Sequence, residues 1–273
     1  SAVARPDFEP AFQLAPGEAV FTIGSCLARN VERSLNSRGF ALPALKVLSA
    51  DPEFETVGSR VLNNYGTPSI LNELSWAFAE DEPDEEVLFY KLGNGWVDLH
   101  LQNTMKPTDL DTLRLRRRAI REAYRSIADC RAVIITLGLS EVWFDKQTGY
   151  YLNMAPRRAM LRADPERFEL HVLSYEETRD TLARAVELIR QHGAPGIQVL
   201  LTVSPIPLSA TYRDQDVMVA NTYSKSVLRA AAEEIVQAND NVGYYPSFES
   251  ITLSPRPEVY LEDEVHVTQD IID

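Results

Sequence analysis

The chain has 273 residues, 45% of them hydrophobic, and a formal net charge of −13. That supplies apolar material for one large core or two small ones, and the acidic balance argues against nucleic acid or an anionic membrane as a general partner, since either needs a basic surface. No stretch approaches the roughly 18 apolar residues of a membrane span, no charged-then-apolar leader opens the chain, and two cysteines with four scattered histidines give neither a disulfide framework nor zinc-ligand spacing. The expectation is a protein without a metal site in a reducing, cytoplasmic compartment.

After a proline-punctuated lead-in, Ala19 to Ile23 is a short apolar run that turns at Gly24-Ser25-Cys26. Leu27, Val31 and Leu35 follow at helical spacing, so the stretch predicts strand, tight elbow and helix. A cysteine at such an elbow is either a small buried apolar group or a nucleophile at a helix N-terminus, where backbone N–H groups and the helix dipole favour a thiolate and an oxyanion. Gly39 reads as a helix cap, and Ala44 to Leu48 as a second strand. Asn63-Asn64-Tyr65-Gly66 leads to Thr67-Pro68, a helix start, with Ile70, Leu71, Leu74 and Phe78 as its apolar stripe.

The acidic run 81–86 lacks the spacing of a calcium loop and reads as solvated. Tyr90 to His100 predicts a hairpin around Gly93-Asn94-Gly95, with His100 exposed or turned into a site. Residues 108–128 predict a helix whose arginines, Arg114 to Arg125, either pair with acids or receive an anion. Ala132 to Gly138 is a continuous apolar run, as in a strand covered on both faces. Val142 to Asn153 predicts a second hairpin, whose aromatics either stack on sugars or form a small core.

Ser174 and Glu177 form a capping box for a helix ending at His192-Gly193. Gln198 to Val203 is another buried strand, followed by Ser204-Pro205-Ile206-Pro207. A long helix spans 216–238, with Asn221 and Lys225 as either functional or packing residues, and a short strand runs from Val242 to Tyr245. Asp263 and His266, three apart, can orient a general base, with Thr268 as a helix start. Strands alternating with helices, with no repeat and no dividing linker, predict a single domain over 1–273, a three-layer α/β/α sandwich with a mainly parallel sheet. The hairpins are insertions at about 81–106 and 142–172.

Ile23-Gly24-Ser25-Cys26-Leu27-Ala28 resembles the signature of the GSCFA family, with Leu27 where the name has Phe. Asn63 to Thr67, Thr136 to Trp143, Thr202 to Pro205, Ser224 to Arg229 and Tyr245 to Glu249 are also similar to that family, in order along the chain. The resemblance extends to the SGNH, or GDSL-like, hydrolases and implies their flavodoxin-like strand order. Laid on their Gly-Asp-Ser-Leu, it implies Cys26 as nucleophile with Ser25 in the Asp slot; a slip of one residue would hand the role to Ser25. It implies His266 and Asp263 as base and orienting acid. For the oxyanion hole it implies Cys26, Gly66, Asn64 and Ser140, although Ser140 replaces the usual Asn. Ser25, Glu141, Trp143 and Ser204 are candidate substrate contacts.

The expected activity is acyl transfer through an acyl-cysteine, namely O-acetylation of a bacterial polysaccharide or glycan. Acetyl-CoA or another acyl-CoA or acyl ester would be the donor, and no cofactor would be resident. A carbohydrate esterase on the same residues, and an inactive glycan-binding or scaffolding module, are the alternatives.

Overall fold

The computed structural model describes residues 3–263 and 265–268. Val20–Ile23 (β1) is buried at every position and turns through Gly24 into Cys26–Ser37 (α1). Gly24 has φ +145°, and a Cβ there would lie 1.9 Å from the Thr136 hydroxyl, so only glycine fits the elbow. Ala44 to Leu48 is not a strand: Pro43–Leu48 forms α2, because five mixed apolar residues fit either period and Pro43 sits in the first helical turn. On the side of β1 away from β4 the described residues make only single-residue parallel bridges, Ala41 with Ala19 and Asn63 with Gly24.

Glu53–Val57 (α3) leads towards Thr67–Phe78 (α4), whose N-cap is Gly66 rather than Thr67. Glu85–Leu88 (α5) precedes the antiparallel hairpin of Phe89–Leu92 (β2) and Gly95–Asp98 (β3). Leu110–Arg125 (α6) starts at Asp109, whose carboxylate accepts from Thr112 N at 2.8 Å. Ala132–Leu137 (β4) is wholly buried.

Glu141–Asp145 (β5) and Tyr150–Leu152 (β6) form the second expected hairpin. After Arg158–Ala163 (α7), Phe168–Val172 (β7) pairs with β5 as an unforeseen third strand. Tyr175–His192 (α8) carries the complete Ser174–Glu177 capping box. Gln198–Val203 (β8), Val217–Ala238 (α9), Val242–Tyr244 (β9), Ser247–Thr252 (α10) and Arg256–Val259 (α11) complete the chain. The helix expected to start at Thr268 falls on residues outside those described.

The central sheet is parallel, in the order β1-β4-β8-β9, with Ile23 opposite Ile135 and Leu137 opposite Val203. Helices flank it, giving the expected three-layer α/β/α sandwich, and the antiparallel pieces fall in the two stretches read as insertions. Relative to a flavodoxin-like order the strand outside β1 is reduced to the two bridges. Ile23, Leu74, Tyr124, Ile135, Leu182 and Leu228 belong to the main core. A smaller cluster of Leu27, Ile251, Val259, Tyr260 and Val267 ties α1 to the chain's C-terminal segment. No helix among the described residues is long and apolar enough to cross a membrane.

Five of the six α6 arginines, all but the exposed Arg118, are tied to neighbours rather than held open for an anion. Arg117 bridges Glu73 at 2.8 Å and Asp98 at 2.5 Å; Arg114 meets Glu85 and Asp111, Arg116 meets Glu53, and Arg121 meets Glu82. His100 is buried at 2% exposure rather than on the surface, because its hairpin folds onto α4 and the imidazole packs edge-on to Trp76. Burial brings its pKa down to about 4, with the Arg117 charge acting in the same direction.

Candidate active site

The parallel register places the C-terminal ends of β1, β4 and β8 side by side, the edge at which open α/β sheets hold ligands. Cys26, Gly138 and Ser204 follow those three ends and line one cleft of about 390 Å³. Cys26 is the first residue of α1, so its N–H belongs to the open first turn. Its thiol is free and half-buried, and the Ser25 hydroxyl lies 4.0 Å from the sulfur. The other cysteine, Cys130, is fully buried, and desolvation pushes its thiol up to about 12.

His266 lines the same cleft. Asp263 fixes it from behind: one carboxylate oxygen meets His266 Nδ1 at 2.6 Å, and the other accepts the backbone N–H groups of His266 at 2.9 Å and Val265 at 3.0 Å. Those hydrogen bonds, the imidazole contact first, hold the Asp263 carboxyl down at about 2. Ser25, Glu141, Trp143 and Ser204 also lie on the wall. Glu141 accepts from Thr211 Oγ1 at 2.7 Å, and Trp143 meets Tyr212 edge-on with ring centres 5.2 Å apart.

The remaining candidates point elsewhere. The Asn64 amide donates to Tyr124 Oη at 2.8 Å in the core. Ser140 is fully buried; its N–H donates to Ser224 Oγ at 2.8 Å, and its own hydroxyl has no partner among the described residues. Gly66 lies behind Tyr65 of the wall, where a Cβ would lie 2.8 Å from Val142.

A sequence model of the GSCFA family matches residues 19–273. The chain belongs to the GSCFA family. A search of curated proteins returned no match.

In this GSCFA chain several wall residues were not legible as such. Asn153 lines the cleft and stitches it together: its Oδ1 accepts from Tyr65 N at 3.0 Å and Ser69 Oγ at 3.1 Å, and its Nδ2 donates to the Asn63 and His100 carbonyls at 2.6 and 3.0 Å. The segment Ile206 to Tyr212 supplies one side, held where Asn221 Oδ1 accepts Leu208 N at 3.0 Å. Pro205 and Pro207 signalled a loop at the sheet edge that holds sites, but not that its continuation to Tyr212 lines the cleft. Lys225, on the helix turn after Asn221, donates to the Gly138 carbonyl at 2.8 Å.

Proposed function

We propose that this chain is an O-acyltransferase that moves an acetyl group from a thioester such as acetyl-CoA to a hydroxyl of a bacterial glycan or polysaccharide, through an acyl-cysteine at Cys26. One observation carries the reading: Cys26 and an imidazole held by Asp263 come from opposite ends of the chain and line one cleft at the site-bearing edge of the sheet. The order of an elbow nucleophile followed by a distant Asp-x-x-His is similar to that of SGNH hydrolases, which supports acyl chemistry. Fold likeness alone would not.

In the first step the Cys26 thiolate attacks the thioester carbonyl, and the Cys26 N–H in the open first turn of α1 faces the oxyanion. The C–S bond to the donor breaks, and its thiolate leaves with the proton of the His266 imidazolium, which becomes the neutral base of the next step. In the second step His266 takes the proton of the acceptor hydroxyl, the oxygen attacks the acyl-cysteine, and the Cys26 thiolate returns. Exchange between two thioesters is nearly balanced in energy, which favours a sulfur nucleophile for transfer. A free catalytic thiol also asks for a reducing, cytoplasmic setting.

Intact-mass measurement after mixing with acetyl-CoA tests this. An acetyl group on Cys26 that is discharged only when a glycan is added is the expected result. Rapid discharge to water would make the protein an esterase on the same residues, and no adduct alongside intact glycan binding would make it an inactive module. Cys26→Ala is expected to reduce transfer to background while Ser25→Ala retains part of it. The opposite ranking would move the nucleophile to Ser25.

A further inference from the structure

Burying a charge without a countercharge is among the costliest things a fold can do. Among the described residues, Arg29 and Glu32 pair with each other at 2.5 Å, Glu73 pairs with Arg117, Arg116 with Glu53, and Asp145 with Arg167. Lys225 breaks the pattern. It is 2% exposed and has no carboxylate partner among the described residues; its ammonium donates only to the Gly138 carbonyl. A lysine has three donors, and one carbonyl does not neutralise it.

Its position is fixed by a face of α9 that holds the underside of the cleft. Asn221 takes the Leu208 N–H, Ser224 takes the Ser140 N–H, and Lys225 takes the carbonyl of Gly138, whose backbone lines the cleft beside Cys26. Gly138 leaves no slack there, since a Cβ on it would lie 2.7 Å from the Tyr65 carbonyl oxygen. The neighbouring ionisable groups are engaged. On α9 and the elements against it, Arg229 is paired with Glu233 and Glu249, and Arg179 with Glu234. At the cleft, Glu141 is tied to Thr211 and His266 to Asp263. The phenol of Tyr65 is pushed upward, first by burial and then by the charge of Cys26, so it stays neutral. On α1 beyond Cys26, Arg29 and Glu32 satisfy each other.

We infer that Lys225 is the countercharge of Cys26: the buried ammonium at the Gly138 carbonyl supplies positive charge beneath the cleft to the thiolate at the head of α1, and this charge keeps the sulfur reactive. Burial draws the lysine down to about 7, and the charge of Cys26 is what opposes that fall. Lys225 acts through Cys26 and is a positioning residue. His266 is left free for the protons of the leaving thiol and the acceptor hydroxyl.

The inference rests on Cys26 being the reactive group of the proposed function, and its test needs neither donor nor acceptor. The rate of iodoacetamide alkylation at Cys26, followed by mass spectrometry across pH, reads the thiolate directly. Lys225→Met should move the rise of the profile upward by at least one pH unit and slow alkylation at pH 7 by about tenfold or more. Lys225→Arg should restore most of the rate, and His266→Asn should leave the profile in place while transfer falls. A Lys225→Met profile that overlays the unsubstituted one, or a shift produced by His266→Asn alone, overturns the pair.

Should Lys225→Met fail to fold, the ultraviolet thiolate absorbance of the unsubstituted protein against Cys26→Ser decides the matter, because Cys130 stays protonated. Thiolate present at pH 7 supports the inference, and its absence refutes it. A shifted alkylation profile in a protein that takes no acetyl group would leave the pair standing and remove the transferase reading.

Discussion

Gly24 and Asn153 carry the site without being able to react. A side chain at Gly24 has no room beside Thr136 and an unfavourable φ, so Gly24→Ala must move the elbow that presents Cys26. It should cost roughly 2 kcal/mol or more in denaturant unfolding and reduce acetyl loading of Cys26 out of proportion to that loss. Asn153→Ala would leave buried backbone groups around Tyr65 and His100 unpaired. A cost of about 2–4 kcal/mol in the same unfolding measurement is expected. Asn153→Asp should be no rescue, because a carboxylate can accept from Tyr65 N but cannot donate to the two carbonyls.

These residues also show how far the site was legible. Cys26 and His266 stood out because each lies in a short pattern with its own chemistry, an elbow and an Asp-x-x-His. Asn153 is an ordinary polar residue until the fold buries it among backbone groups, and Lys225 stood out only as either functional or packing, because burial of that kind has no local signature.

At the level of elements, the long β-branched runs that became β4 and β8 could be read because a fully covered strand needs unbroken apolar sequence. The helix Pro43–Leu48 was mistaken for a strand because so short a run does not separate the two periods. The β7 strand was missed because what stabilises it is pairing with β5, a contact the local sequence does not encode. Caps are the clearest local signals, and Ser174 is a complete one. Ser174→Ala should lower stability by about 1 kcal/mol without altering the reactivity of Cys26. By contrast Arg117→Ala, which strands Glu73 and Asp98 between α4, α6 and the β2–β3 hairpin, should cost about 3–5 kcal/mol, readable as a drop in melting temperature.

For the whole molecule, acid should act through His100. Its folded pKa of about 4 lies below the ordinary 6.5, so the unfolded chain binds the extra proton between those values. Stability is therefore fully present above pH 6.5 and falls as the pH drops towards 4, by roughly 3 kcal/mol over that window if nothing compensates. Urea unfolding at pH 7, 5.5 and 4.5 should show the decline, and His100→Gln should flatten it.

The strand that delivers the thiol is the outermost one of its sheet, and among the described residues its outer edge is bridged only at its two ends, by Ala41 and Asn63. Margins of this kind fray first, since fewer partners must be released to open them. In native-state hydrogen exchange the amides of Val20 to Ile23 should lose protection at lower denaturant than those of Val133 to Ile135. Reactivity would then be coupled to how firmly the segment from Gly39 to Gly66 lies against the rim, so that substitutions there, distant from the sulfur in sequence, set how long the thiol stays aimed.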